Sequence, residues 1–169
     1  PKIKPPIRNA FQDRYVKGIM TYSAIVGLAR NALISFLPIF LTSSFAASAT
    51  QVGIVLAIFI LVGAFFQYPM GIISDRVNKT KLTLIGMGGA AAFLFIMPLT
   101  PTLLIMALVV LIAGFFSIAA DAPALALGTE AGRKYGMATV LSLYDTSVGI
   151  GMVGGPLISG IFVDNFGID

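Results

Sequence analysis

The sequence has no cysteine, no histidine and no tryptophan, and charged side chains make up only 11% of its 169 residues. Without cysteine there is no disulfide scaffold. Without histidine or cysteine, the usual zinc sites, serine–histidine triads and thiol nucleophiles have no parts. No nucleophile–base set is visible, so the reading is that of a non-enzyme with no cofactor and no metal. A soluble domain carries about 25% charged residues. What is present instead is 57% hydrophobic residues and a mean hydropathy of +0.96. Most of such a chain cannot face water, and disorder is excluded by the same numbers. The composition describes a membrane protein that crosses the bilayer several times.

A span needs roughly 20 mostly apolar residues to cross a hydrocarbon core of about 30 Å. Five stretches qualify: Gly18 to Leu41, Val52 to Ile73, Leu82 to Leu99, Leu103 to Leu127 and Tyr135 to Val163. They are too long for strands, and a backbone in lipid must satisfy its own hydrogen bonds, so they are expected to be helices. The expected connections are Thr42 to Thr50, the tight turn Met97-Pro98-Leu99-Thr100-Pro101, and a break at Gly128 to Gly132 before the fifth span. Residues 1–17 read as a basic, proline-containing juxtamembrane linker. No cleavable signal peptide is visible. The sequence begins at Pro1 and reads as a piece of a longer protein, its polar end leading towards a sixth helix.

The net charge of +4 does not point to nucleic acid. Lys and Arg beside spans stay cytoplasmic. Ten of the eleven basic residues fall in the opening stretch, the second-to-third connection and the fourth-to-fifth connection. That places these segments, and the N-terminal stretch, on the cytoplasmic side of a cell membrane. Tyr15, Tyr68 and Tyr135 lie near the same interface, where amphipathic rings are favoured.

The second-to-third connection reads Gly71-Ile72-Ile73-Ser74-Asp75-Arg76-Val77-Asn78-Lys79-Thr80-Lys81-Leu82. Helix ends and topology account for its bases but not for Asp75 or for so short a loop. The pattern Gly-x-x-x-Asp-Arg-x-x-Lys-x-Lys-Leu resembles the signature loop of the major facilitator superfamily, which lies in this same connection of a six-helix half. Asn78 stands where that family usually has Gly, and Asn tolerates positive φ better than most residues. The resemblance implies a conformational gate at Gly71, Asp75 and Arg76. Gly71 would admit another helix. Asp75 would accept hydrogen bonds from a helix N-terminus. Arg76 would pair with a carboxylate of the other half.

The fifth span contains Gly151, Gly155, Pro156 and Gly160 in the string Gly-x-x-x-Gly-Pro-x-x-Ser-Gly. Gly151 and Gly155 share a helix face and permit tight packing. Pro156 removes one backbone hydrogen bond. By itself this is a helix-packing motif. The string is also similar to the fifth-helix motif of the drug:proton antiporter branch, with Ser159 for a Gly. That branch often carries an Arg in the fourth helix, whereas Leu103 to Ala120 is uncharged here. The basic opening stretch suits the linker before a C-terminal half.

Ionisable groups inside spans cost roughly 2.5–3.5 kcal/mol on insertion scales, so each is a candidate site. Arg30 and Asp145 are expected at matching depth. One reading makes them a structural ion pair. The other gives Arg30 an anionic or polar substrate and Asp145 the coupling proton or cation. Asp121 is expected near the cytoplasmic end of its helix, beside Pro123, as an end-of-helix polar group or a third coupling candidate. Asn31, Gln67 and Tyr144 are weaker candidates for polar contacts.

The expectation is an all-α membrane protein, five helices of a six-helix half truncated before its last. The resemblance implies a secondary transporter that moves small organic solutes by alternating access, with proton-coupled efflux first. Metabolite uptake by symport, and a non-transporting assembly protein on the same fold, are the alternatives. The implied partners are the other half of the transporter, a small-molecule substrate, protons or another coupling cation, and the lipid bilayer, with no nucleic acid.

Overall fold

The computed structural model describes residues 7–166. It consists of helices α1 (Ile7–Gln12), α2 (Arg14–Phe45), α3 (Ala49–Arg76), α4 (Lys79–Ile96), α5 (Leu103–Tyr135) and α6 (Met137–Phe166), with a 3-10 turn at Met97–Leu99. No strand occurs among the described residues. Residues 1–6 of the opening stretch and 167–169 of the polar end lie outside the described residues.

Four helical segments are long and apolar enough to cross a membrane: Arg14–Phe45, Ala49–Arg76, Lys79–Leu99 and Leu103–Tyr135. The fifth expected span lies in α6, which has the length at 30 residues. Large apolar side chains such as Phe65, Phe95 and Leu99 are about four-fifths exposed. Water would penalise that surface, whereas lipid tails solvate it.

The helix ends are set by local chemistry, and two differ from expectation. The polar run after Leu41 does not end α2. The hydroxyl of Thr42 donates back to Pro38 O and Ile39 O, and Ser43 to Phe40 O, so these side chains are satisfied inside the helix. The helix stops at Phe45, followed by Ala46 at φ 49. Ser48 then caps α3 in a reciprocal capping box with Gln51. Likewise Gly128 to Gly132 does not break the chain. Glycine costs a helix about 1 kcal/mol without forbidding it, and α5 runs through these residues to Tyr135. The break is Gly136, whose φ of +98 few other residues adopt.

The chain divides into two compact units, Pro38–Ala126 and the combination of Pro1–Leu37 with Leu127–Asp169. In the former, α5 packs against α3 and α4. The rings of Phe66 and Phe115 meet edge to face at 5.1 Å, and Phe93 stacks on Phe116 at 5.7 Å. Gly89 leaves the space that the Phe116 ring fills, and a side chain at Gly86 would collide with Ala120 N and Phe116 O. Met70, Ile118 and Ala119 form the buried centre beside Phe66 and Phe115. In the latter unit, residues 7–17 supply α1 and the start of α2, and α2 lies along α6.

Candidate functional site: intramembrane polar groups and the loop between α3 and α4

The pairing of α2 with α6 fixes the register of the candidate site. A Cβ on Gly151 would overlap Ala24 O and lie 2.7 Å from Leu28 N. One on Gly155 would overlap Leu28 O and lie 3.0 Å from Ala32 N. Gly27 meets the backbone of Val148 in the same way. The two helices are therefore in backbone contact, the close approach that small residues permit. Nothing lies within 4 Å of a Cβ on Gly160, so the close contact ends before it.

Pro156 has no N–H, so the carbonyl four residues earlier, Met152 O, loses its helical donor. Asn31 of α2 supplies one: its Nδ2 donates to Met152 O at 2.6 Å. Interhelical side-chain bonds of this kind contribute about 0.6 kcal/mol on average in membranes, up to about 1.7. Asn31 was a minor candidate from sequence. Its position opposite a proline gap depends on the register of two distant helices, which no local pattern reveals.

The same register separates Arg30 from Asp145, correcting the expectation of matching depth. The contacts pair a residue of α2 with the α6 residue about 124 further along the chain, so Asp145 lies level with about residue 21. Arg30 is some nine residues further on, roughly 13 Å at 1.5 Å per residue. An ion pair at up to about 4 Å cannot form across that gap. Asp145 is exposed, and its side chain makes no hydrogen bond or ion pair among the described residues. Ser142, Thr146 and Gly149 are exposed around it, a polar stripe along α6. Arg30 is half-buried.

Asp121 also departs from expectation. Because α5 continues to Tyr135, Asp121 lies 14 residues, or roughly 21 Å, from the helix C-terminus rather than beside it. It is half-buried, and Pro123 is fully buried.

In the second-to-third connection, Asp75 and Arg76 form the last turn of α3, both exposed and without a side-chain partner among the described residues. Arg76 is favoured there by the helix dipole, whereas Asp75 is not. Nothing lies within 4 Å of a Cβ on Gly71. Asn78 overturns the expectation of a tolerated positive φ. Its φ is −67, and its Oδ1 accepts the Lys81 N–H at 3.0 Å, making it the N-cap of α4. Asn is used here for its side-chain acceptor, not for left-handed backbone. Asn78→Gly, which retains the turn, is expected to cost only a few tenths of a kcal/mol, and Asn78→Ala about 1 kcal/mol. Asn78→Ser should retain nearly full stability. Thermal unfolding of the three variants checks the order; Ser as poor as Ala would count against the cap.

A second cluster, at the α1–α2 junction and the end of α5, has no counterpart in the sequence patterns. Asp13, between α1 and α2, accepts from Tyr135 Oη at 2.7 Å, Tyr15 N at 2.8 Å and Lys134 Nζ at 3.2 Å. The carboxyl is held down to about 2 from its ordinary 3.8, by the Tyr135 hydroxyl first, then the Tyr15 N–H and Lys134. Hydrogen bonds to the charged form favour ionisation. A depressed carboxyl stabilises the fold fully above its unfolded value and loses that contribution as pH falls through its folded value. Any stability difference between the native protein and Asp13→Asn should therefore be constant down to about pH 4 and shrink towards pH 2. Melting curves across that range test it; a difference that fades near neutral pH would contradict the geometry.

These helices, with their exposed apolar surface, define a polytopic α-helical membrane protein. Comparison with protein families matches residues 19–169 to the Major Facilitator Superfamily. The chain belongs to that superfamily, a family of membrane transporters. Neither the curated proteins nor the solved structures yield a match.

Proposed function

We propose that the chain serves a secondary transporter that moves small organic solutes across the cell membrane by alternating access, driven by proton entry. The observation that carries this reading is Asp145: a carboxylate about 12 Å along α6, exposed and without a side-chain partner among the described residues, beside Ser142 and Thr146. In contact with lipid tails such a group is costly, so the stripe suits a water-filled path to which protons have access. Arg30, half-buried at a different depth, suits the polar or anionic part of the solute. Asp75 and Arg76, exposed at the end of α3, suit contacts to the other half that form and break as the cytoplasmic side closes and opens. The clustering of basic residues supports a cytoplasmic N-terminal stretch.

The test uses the full-length protein in vesicles enclosing a pH-sensitive dye, challenged with a panel of small organic anions and cations. A solute that moves should drive proton flux in the opposite direction, and Asp145→Asn should abolish that flux while the protein remains folded. Undiminished proton flux in Asp145→Asn would remove Asp145 from the coupling. Solute movement with no proton flux in the native protein would defeat the proton-coupled reading.

A further inference from the structure

Four prolines stand inside membrane-length helices: Pro38 in α2, Pro69 in α3, Pro123 in α5 and Pro156 in α6. Each removes the donor for the carbonyl four residues before it. Those carbonyls belong to Ile34, Phe65, Ala119 and Met152. Among the described residues, only Met152 O receives a side-chain donor from another helix, the Nδ2 of Asn31 at 2.6 Å. The bond sits where α2 and α6 are in backbone contact through Gly27, Gly151 and Gly155.

We infer that Asn31 is a positioning residue that turns the Pro156 gap from a hinge into a fixed elbow. A proline inside a helix leaves a point where the backbone bends easily, because one rung of the ladder is missing. Asn31 replaces that rung from outside, and its own backbone is held by α2. The bend direction of α6 beyond Pro156 is thereby tied to α2. The glycine contacts set how close the two helices lie, and Asn31 sets the angle at which α6 continues past the contact. As a result α2 and α6 move as one body, and the flexibility that a conformational cycle requires must come from elsewhere. The inference concerns the elbow alone and does not depend on the solute, the coupling ion or the direction of transport.

Distances between paired spin labels test it in the full-length protein freed of any cysteines, without a transport assay. One pair is placed at Ile34 and Ile161, level with and beyond the elbow, both exposed. A second pair, at Ile25 and Ile150, lies before the elbow on the same two helices and is also exposed. In the native protein both distance distributions should be narrow. Asn31→Leu, which keeps bulk but cannot donate, should broaden the first pair and leave the second narrow. Adding Pro156→Ala returns an N–H to Met152 O and should restore the narrow distribution of the first pair. General loosening of the fold would broaden both pairs alike, and that outcome overturns the inference. So does a first pair that stays narrow in Asn31→Leu, or one that Pro156→Ala fails to restore. If Asn31→Leu does not fold, the double variant should fold and give narrow pairs; its failure to do so also overturns the elbow.

Discussion

Gly151→Ala is expected to destabilise the full-length protein severely, although it adds a single methyl group. The added Cβ would overlap the carbonyl oxygen of Ala24 and crowd the amide of Leu28, and neither can rotate away as a side-chain tip can. The helices must separate, losing the packing along their shared face. Overpacking of this kind typically costs 1–3 kcal/mol, and unyielding backbone on the far side puts this site at about the upper end. The control is two residues away. Gly149 faces open space, so Gly149→Ala meets nothing and gains helix propensity of up to about 1 kcal/mol. Membrane yield, chromatographic homogeneity and melting temperature should move in opposite directions for the two variants. Equal stability would mean that α2 and α6 are not in backbone contact.

Arg30→Gln and Asp145→Asn should each remove most of the transport activity, and combining them should rescue nothing. The register of α2 and α6 sets the two groups roughly 13 Å apart along the helix axes. At that separation the stability changes of the single variants should add to within about 0.3–0.5 kcal/mol. A structural pair predicts the opposite, because removing both charges eliminates the unpaired partner left by either single change. Recovery of stability in the double variant would restore the ion-pair reading. Undiminished transport in both singles would exclude the two residues from the mechanism.

The spans were legible because each depends on the apolar length of one continuous segment. The close-packing face of Gly151 and Gly155 was legible because two residues four apart on a helix always share a face. Quantities fixed by more than one segment were not legible, and two local ones were misread. The depth of Asp145 against Arg30 depends on how far packing slides one helix past the other, which neither helix's own sequence records. The end of α5 was misplaced because Gly128 and Gly132 look like breakers, whereas a glycine breaks a helix only where the backbone adopts a conformation such as that of Gly136. Asn78 was read through its backbone tolerance when its side-chain oxygen was the working part. The Asp13 cluster joins residues more than 120 positions apart, beyond any local pattern.

A single residue, Gly136, separates α5 from α6. Consecutive Cα atoms are only about 3.8 Å apart, so the end of one helix and the start of the next cannot part while the chain is being made. During biogenesis the two helices are therefore expected to enter the membrane together as a hairpin. Lengthening this joint with a flexible insert would uncouple their entry, and each helix would then have to insert on its own.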